Sequence, residues 1–270
     1  MIDIETPPAE DRAAKAAGLS WFSYSALSTY AACPLQYAFR YVDRVPVPER
    51  VSPPFAFGSV AHEAFEAFTR ERRERLARGE PAPSREELER LLRDRWVPAE
   101  FGDPETEAAY ERRVAGLLDR FCAGEADRGG ETIAEEQGFT LVIDAADGTP
   151  PVSIAGYIDR IDRLPSGGIE VIDYKTGTAW PDAAERSLQL TIYALACRDA
   201  LGLGTPERLT LDFTESGTRL STVRTDEQLD AARADLLRRV IPIRAAEFGA
   251  RPGRRCDWCD YAGVCEERAG

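Results

Sequence analysis

The sequence predicts a mixed α/β fold, and three observations carry that reading. Apolar residues recur at helical spacing through residues 58–78, with Val60, Phe65, Phe68 and Leu76 on or near one side. Three segments rich in Ile and Val follow at 138–145, 152–163 and 168–175, and they read as strands. An apolar helical segment at 183–201 then precedes a further strand at 208–213, an order that indicates a mixed core.

Taken in order, residues 1–19 are acidic and alanine-rich, carry Pro7 and Pro8, and read as a flexible leader to a single domain over 20–268. Residues 23–40 form a helix that Ser25 can cap, with Leu27, Tyr30, Leu35, Tyr37 and Phe39 as apolar contacts. Cys33-Pro34 interrupts it, because proline disfavours helical backbone at the preceding residue. The prolines of 45–54 mark a loop, and 79–84 is a break. Residues 85–96 and 105–126 read as two more helices, a helical insertion over 80–130. Residues 164–168 (Leu-Pro-Ser-Gly-Gly) form the turn between the second and third strands. Residues 218–224 can supply another strand, 226–248 a helix bent near Pro242, and 251–265 a cysteine-rich tail.

Composition narrows the function. With 270 residues, 43% hydrophobic and 30% charged, the chain is ordinary globular protein. It holds no apolar run of about eighteen residues, so no membrane span is expected. Its start has neither the basic residues nor the apolar stretch of a signal peptide, so a cytoplasmic location with reduced thiols is expected. A net charge of -13 argues against wrapping nucleic acid over the whole surface, but not against a local groove. The arginine clusters at 70–78, 112–113, 238–239 and 251–255 read first as solvated faces. Lysine occurs only at Lys15 and Lys175, and histidine only at His62. A lysine that persists in a structured segment of so arginine-rich a chain invites a chemical reason.

The segment from Gly156 to Lys175 is the most informative. If its turn is centred on Ser166, Asp159 faces Asp173 across a hairpin, and Lys175 shares their face. Facing carboxylates about 5 Å apart repel by about 3 kcal/mol at an effective dielectric near 20. A hard divalent cation such as Mg²⁺ offsets that repulsion well, and Lys175 beside it could orient water or steady phosphate charge. The other reading is an exposed aspartate pair bridged by an arginine such as Arg160. His62 could complete the site, or be structural. Gln189 and Tyr193, one helical turn apart, either serve the site or form the polar edge of a buried helix.

Cys256-x-x-Cys259-x5-Cys265 is dense, and in a reducing compartment it argues for metal rather than disulfide. Cys33 is the best candidate for a fourth thiolate; Cys122 and Cys197 sit in apolar helical patterns and read as core. Zinc and [4Fe–4S] both accept four cysteines. Either would clasp the N- and C-terminal segments.

These motifs together, Cys33-Pro34, Gly58-Ser59-x-x-His62, Gly156-x-x-Asp159-Arg-Ile-Asp162, Ile172-Asp173-Tyr174-Lys175-Thr-Gly, Gln189-x3-Tyr193 and Cys256-x2-Cys259-x5-Cys265, resemble one family. It is the RecB-like branch of the PD-(D/E)XK nucleases, and more narrowly its iron–sulfur members, among them AddB nuclease domains and CRISPR-associated adaptation nucleases. The resemblance implies a restriction-endonuclease-like core, a mixed central sheet flanked by helices, and a Mg²⁺- or Mn²⁺-dependent deoxyribonuclease. It implies an exonuclease on single-stranded DNA or DNA ends, in DNA repair, recombination or CRISPR adaptation, with a helicase or CRISPR adaptation proteins as partners. His62, Asp159 and Asp173 would bind the metal, with the Tyr174 carbonyl as a further ligand. Lys175 would be the catalytic lysine, supported by Gln189 and Tyr193, and Cys33, Cys256, Cys259 and Cys265 would hold [4Fe–4S]. The rival reading is a non-cleaving iron–sulfur DNA-binding module of a helicase–nuclease assembly.

Overall fold

A computed structural model describes residues 9–46, 53–96, 103–126, 130–144 and 148–268. In chain order its elements are α1 (Ala9–Ala17), β1 (Trp21–Phe22), α2 (Tyr24–Ala32), α3 (Pro34–Tyr37, continued by a π-turn at Ala38–Val42), α4 (Pro53–Ala77), α5 (Arg85–Arg95) and α6 (Pro104–Ala126). There follow β2 (Glu131–Ile143), β3 (Val152–Arg163), β4 (Ile169–Lys175), α7 (Ala183–Arg186), α8 (Leu188–Leu195, then a π-turn at Ala196–Ala200), β5 (Arg208–Phe213), β6 (Thr218–Thr222) and α9 (Asp226–Arg244). In hydrogen-bonding order the strands run β1-β3-β4-β5-β6, with β2 also on β3. The β1–β3 and β4–β5 pairs are parallel, and the β3–β4 and β5–β6 pairs antiparallel. The fold is therefore the expected mixed sheet flanked by helices.

Several local expectations change. The expected leader contains α1, whose Arg12 pairs with Asp43 at 2.6 Å and whose Ala16 is buried; its residues 1–8 lie outside the described residues. Ser23, not Ser25, caps α2, because Ser23 has extended backbone and its hydroxyl accepts the Ala26 N–H at 3.1 Å. Of the loop expected at 45–54, residues 47–52 lie outside the described residues, while Pro53 and Pro54 open α4, where a first-turn proline leaves no helical bond unmade. The helix expected over 183–201 breaks at Ser187, whose hydroxyl accepts the Leu190 N–H at 3.1 Å and starts α8 afresh. Strand β2 begins seven residues before the expected Gly138 and ends at Ile143; residue 145 lies outside the described residues.

The chain divides into two compact units. One comprises 1–50, 140–156 and 226–270, and the other 51–139 and 157–225. In the second, α4, α5 and α6 share a core built on Phe57, Phe65, Phe68, Leu88, Leu117 and Phe121. Phe65 and Phe121 stack with centroids 4.0 Å apart, and Tyr174 of β4 packs against both. Burial of each such ring contributes about 1.5–3 kcal/mol. This packing fixes the face of α4 that carries His62 beside the end of β4. In the first unit a smaller cluster joins Phe39, Val45 and Tyr261, with Cys259 and Cys265 against it.

Candidate active site

The hairpin register is the one expected of a turn centred on Ser166: Arg160 lies opposite Ile172 and Arg163 opposite Ile169. One residue further, Asp159 Oδ2 accepts the Tyr174 N–H at 2.9 Å. Strand alternation puts Arg160 and Asp162 on the face of β3 opposite to that of Asp159. Arg160 is fully buried and its Nε donates to Asp162 Oδ1 at 2.6 Å. Its Nε is thus paired with Asp162, on the face opposite to that of Asp159.

Asp173 is buried in β4. Burial, and then the nearby charge of Asp159, push its carboxyl pKa well up, and Lys175 opposes both. Lys175 Nζ lies 2.5 Å from Asp173 Oδ2 and donates to Gln189 Oε1 at 2.8 Å. Gln189 Nε2 donates to the Tyr193 hydroxyl at 2.8 Å. Residues chosen from two separate motifs therefore form one chain, Asp173–Lys175–Gln189–Tyr193. The break at Ser187 matters here, because it places Gln189 in the first turn of α8, within reach of the end of β4. Burial pushes the Tyr193 phenol pKa up, so it stays protonated.

His62 stands on α4 in a cleft that Gly58, Ser59, Glu63, Tyr174 and Thr176 help line. A Cβ at Gly58 would lie 3.2 Å from Thr176 Oγ1, which suits a glycine where α4 approaches the end of β4. His62 Nε2 is 3.1 Å from Asp159 Oδ2, and Nδ1 is 3.4 Å from Glu136 Oε1. The hydrogen bond to Asp159 raises the imidazole pKa to about 9 against the opposing effect of burial.

Glu136 was not singled out from the sequence. It sits in β2 at φ 44, a left-handed conformation that costs a side-chain-bearing residue on the order of 1–3 kcal/mol. Inside and outside alternate cleanly from Gly138 onward, but 133–137 are all half-buried. That break hid the strand. The available signal was an acidic pair, Glu135-Glu136, just before a clear alternation.

One ligand atom from each of His62, Glu136 and Asp159 lies within 4.8 Å of the others. Adjacent ligands of an octahedral ion with bonds near 2.1 Å are about 3.0 Å apart, close to the 3.1 Å between His62 Nε2 and Asp159 Oδ2. Glu136 Oε1 is buried without a hydrogen bond, an acceptor in want of a donor or cation. The His62–Asp159 pair fits a hard divalent ion. Asp173, expected as a ligand, is outside this trio and ion-paired to Lys175.

In the first unit Cys33, Cys256, Cys259 and Cys265 are free, half-buried and line one cavity with Leu35 and Phe39. Burial raises the thiol pKa of Cys259 and Cys265. Cys197 is buried, and Cys122 packs against the helical core, as expected. Tyr261 is core, whereas Trp258 is exposed. The arginines of 70–78 are largely paired along or beside α4, Arg70 with Glu66, Arg73 with Glu135, and Arg75 with Glu71 and Glu87.

Comparison with known proteins bears on this arrangement. A segment of 104 residues is 32% identical to one of the subunits of the ATP-dependent helicase/deoxyribonuclease of Streptococcus mutans, spanning 36% of this chain and 9% of that protein. The crystal structure of SSO0001 aligns over 91% of this chain and 96% of that one at 15% identity, with a TM-score of 0.37 that carries no argument. The model of the PD-(D/E)XK nuclease superfamily matches residues 21–266, and the chain belongs to that superfamily.

Proposed function

We propose that the chain is a Mg²⁺- or Mn²⁺-dependent deoxyribonuclease, an exonuclease acting on single-stranded DNA or DNA ends. The observation that carries this reading is the Asp173–Lys175–Gln189–Tyr193 chain at the end of the hairpin whose Asp159 pairs with His62. His62, Asp159 and Asp173 would hold the ion, with the Tyr174 carbonyl as a further ligand. When bound, the ion would act as a Lewis acid toward the scissile phosphate and the attacking water. Lys175 orients that water and steadies the charge that grows on the phosphate. Asp173 and Gln189 hold the amine in place, and Tyr193 holds the Gln189 amide, so the lysine's rotamers are restricted before substrate arrives.

The likeness to a helicase/deoxyribonuclease component supports DNA as substrate and a helicase as partner; the proposed setting is repair or recombination, with CRISPR adaptation and that pathway's proteins as the alternative. Cys33, Cys256, Cys259 and Cys265 would hold a [4Fe–4S] cluster. Zinc is the alternative occupant of the four thiols, which line one cavity. The test is cleavage of end-labelled single-stranded DNA by anaerobically purified protein. Mg²⁺ or Mn²⁺ should support it and a chelator should stop it. DNA binding without cleavage in either metal would instead favour the non-cleaving module.

A further inference from the structure

The conformation of Glu136 has a purpose at this site. At φ 44 it turns out of the alternation of β2, so that Glu135 and Glu136 are both half-buried. Glu135 is taken by Arg73 at 3.1 Å. Glu136 turns to the imidazole of His62, which thereby lies between two carboxylates, Asp159 at Nε2 and Glu136 at Nδ1.

Only one imidazole nitrogen can ligate an ion through its lone pair while the other carries the proton, and that N–H needs an acceptor. The two sides of the ring are not equivalent. On the Nε2 side stands Asp159 at 3.1 Å, whose Oδ2 also accepts the main-chain N–H of Tyr174 beside Asp173. On the Nδ1 side stands Glu136, with Oε1 buried and accepting no hydrogen bond. Its 3.4 Å separation from Nδ1 is slightly longer than a formed N–H···O bond, so a small approach completes one.

We infer that Glu136 is a positioning residue: it accepts the Nδ1–H of His62, fixes that tautomer, and thereby aims the Nε2 lone pair into the space shared with Asp159. This rests on the reading above that His62 and Asp159 hold a divalent ion. Glu136 acts through His62 and does not touch the ion.

His62 is the only histidine of the chain, so a ¹⁵N-histidine-labelled sample reports one imidazole. With saturating Mg²⁺ at neutral pH, long-range ¹H–¹⁵N correlation should show Nδ1 protonated and Nε2 shifted by the ion. Glu136→Gln, whose amide oxygen still accepts, should keep that pattern. Glu136→Ala should mix the tautomers and weaken Mg²⁺ binding about 10–100-fold. Glu136→Gly suits the left-handed backbone and should fold at least as stably as the parent, yet lose the same affinity; a merely structural role would move its melting temperature and not its tautomer. A shift at Nδ1 instead of Nε2 would make Glu136 a ligand and overturn the inference. So would a Glu136→Ala protein with unchanged tautomer and affinity. A parent imidazole that ignores Mg²⁺ would overturn the metal reading itself, and the inference with it.

Discussion

The acidic hairpin and the cysteine tail are held in different ways. In the hairpin, strand pairing sets where every charged group points: Asp173 is locked in a buried strand, and Asp159 accepts a main-chain N–H from the next strand. Its order owes little to any ligand. Among the described residues the regular structure of the tail is a short 3₁₀ turn at Arg254–Trp258, and its core cluster joins Tyr261, Cys259 and Cys265 to Phe39 and Val45. Trp258 and Val264 stay exposed. So thin a core contributes little, and the order of the tail should depend on what its thiols hold. The hairpin's geometry is built by β-register, whereas the tail's is expected to be built by ligation.

That contrast can be broken, and the largest expected effect is on the hairpin. Lys175→Ala should lower DNA cleavage by about a thousandfold while the fold survives, because the raised pKa of Asp173 lets its carboxyl take up a proton when its partner is lost. Single-turnover cleavage beside circular dichroism checks both halves, and unchanged cleavage would remove Lys175 from the mechanism. Next, Cys256→Ser should speed tryptic cutting within the arginine-rich 251–268 segment by about a hundredfold and leave Mg²⁺ binding at the hairpin unchanged. Equal cutting rates would show that the tail is held without its thiols.

A smaller effect concerns pH. The pKa of His62 is raised from 6.5 to about 9 by Asp159. In the metal-free protein its stabilising contribution is therefore fully present below 6.5 and is lost as pH rises through about 9. The ion must displace that same proton, so Mn²⁺ affinity should rise about tenfold per pH unit up to about 9, with one proton released per ion. Titration calorimetry in two buffers measures both. A flat profile would take His62 out of the ligand set. The smallest expected effect is that of Tyr193→Phe, which removes one hydrogen bond to Gln189. At about 1 kcal/mol it should cost roughly fivefold in kcat, with metal affinity unchanged.

The pattern of these residues explains what was legible beforehand. The β3–β4 register could be read because Leu164-Pro165-Ser166-Gly167-Gly168 is strong turn chemistry between two clean alternations, and the register then fixes Asp159, Asp173 and Lys175. The Gln189–Tyr193 pair was visible as an i, i+4 spacing, but its link to Lys175 depends on the helix restart at Ser187, which an unbroken apolar pattern concealed. Glu136 was invisible for a related reason. A residue in the left-handed region disrupts the two-residue period by which strands are recognised, so the feature that aims Glu136 at His62 also hid its strand. Pairings distant in sequence, such as Cys33 with the tail, could be matched by motif but not placed by any local rule.

The proposed chemistry requires a divalent ion against His62 Nε2 beside the carboxylate of Asp159. Electron spin-echo spectroscopy of Mn²⁺ bound to ¹⁵N-histidine-labelled protein tests it most directly, since the chain holds a single imidazole. A coupling to one directly bound ¹⁵N nucleus, abolished by His62→Gln, is the expected result. Tightly bound Mn²⁺ with no nitrogen coupling would contradict it.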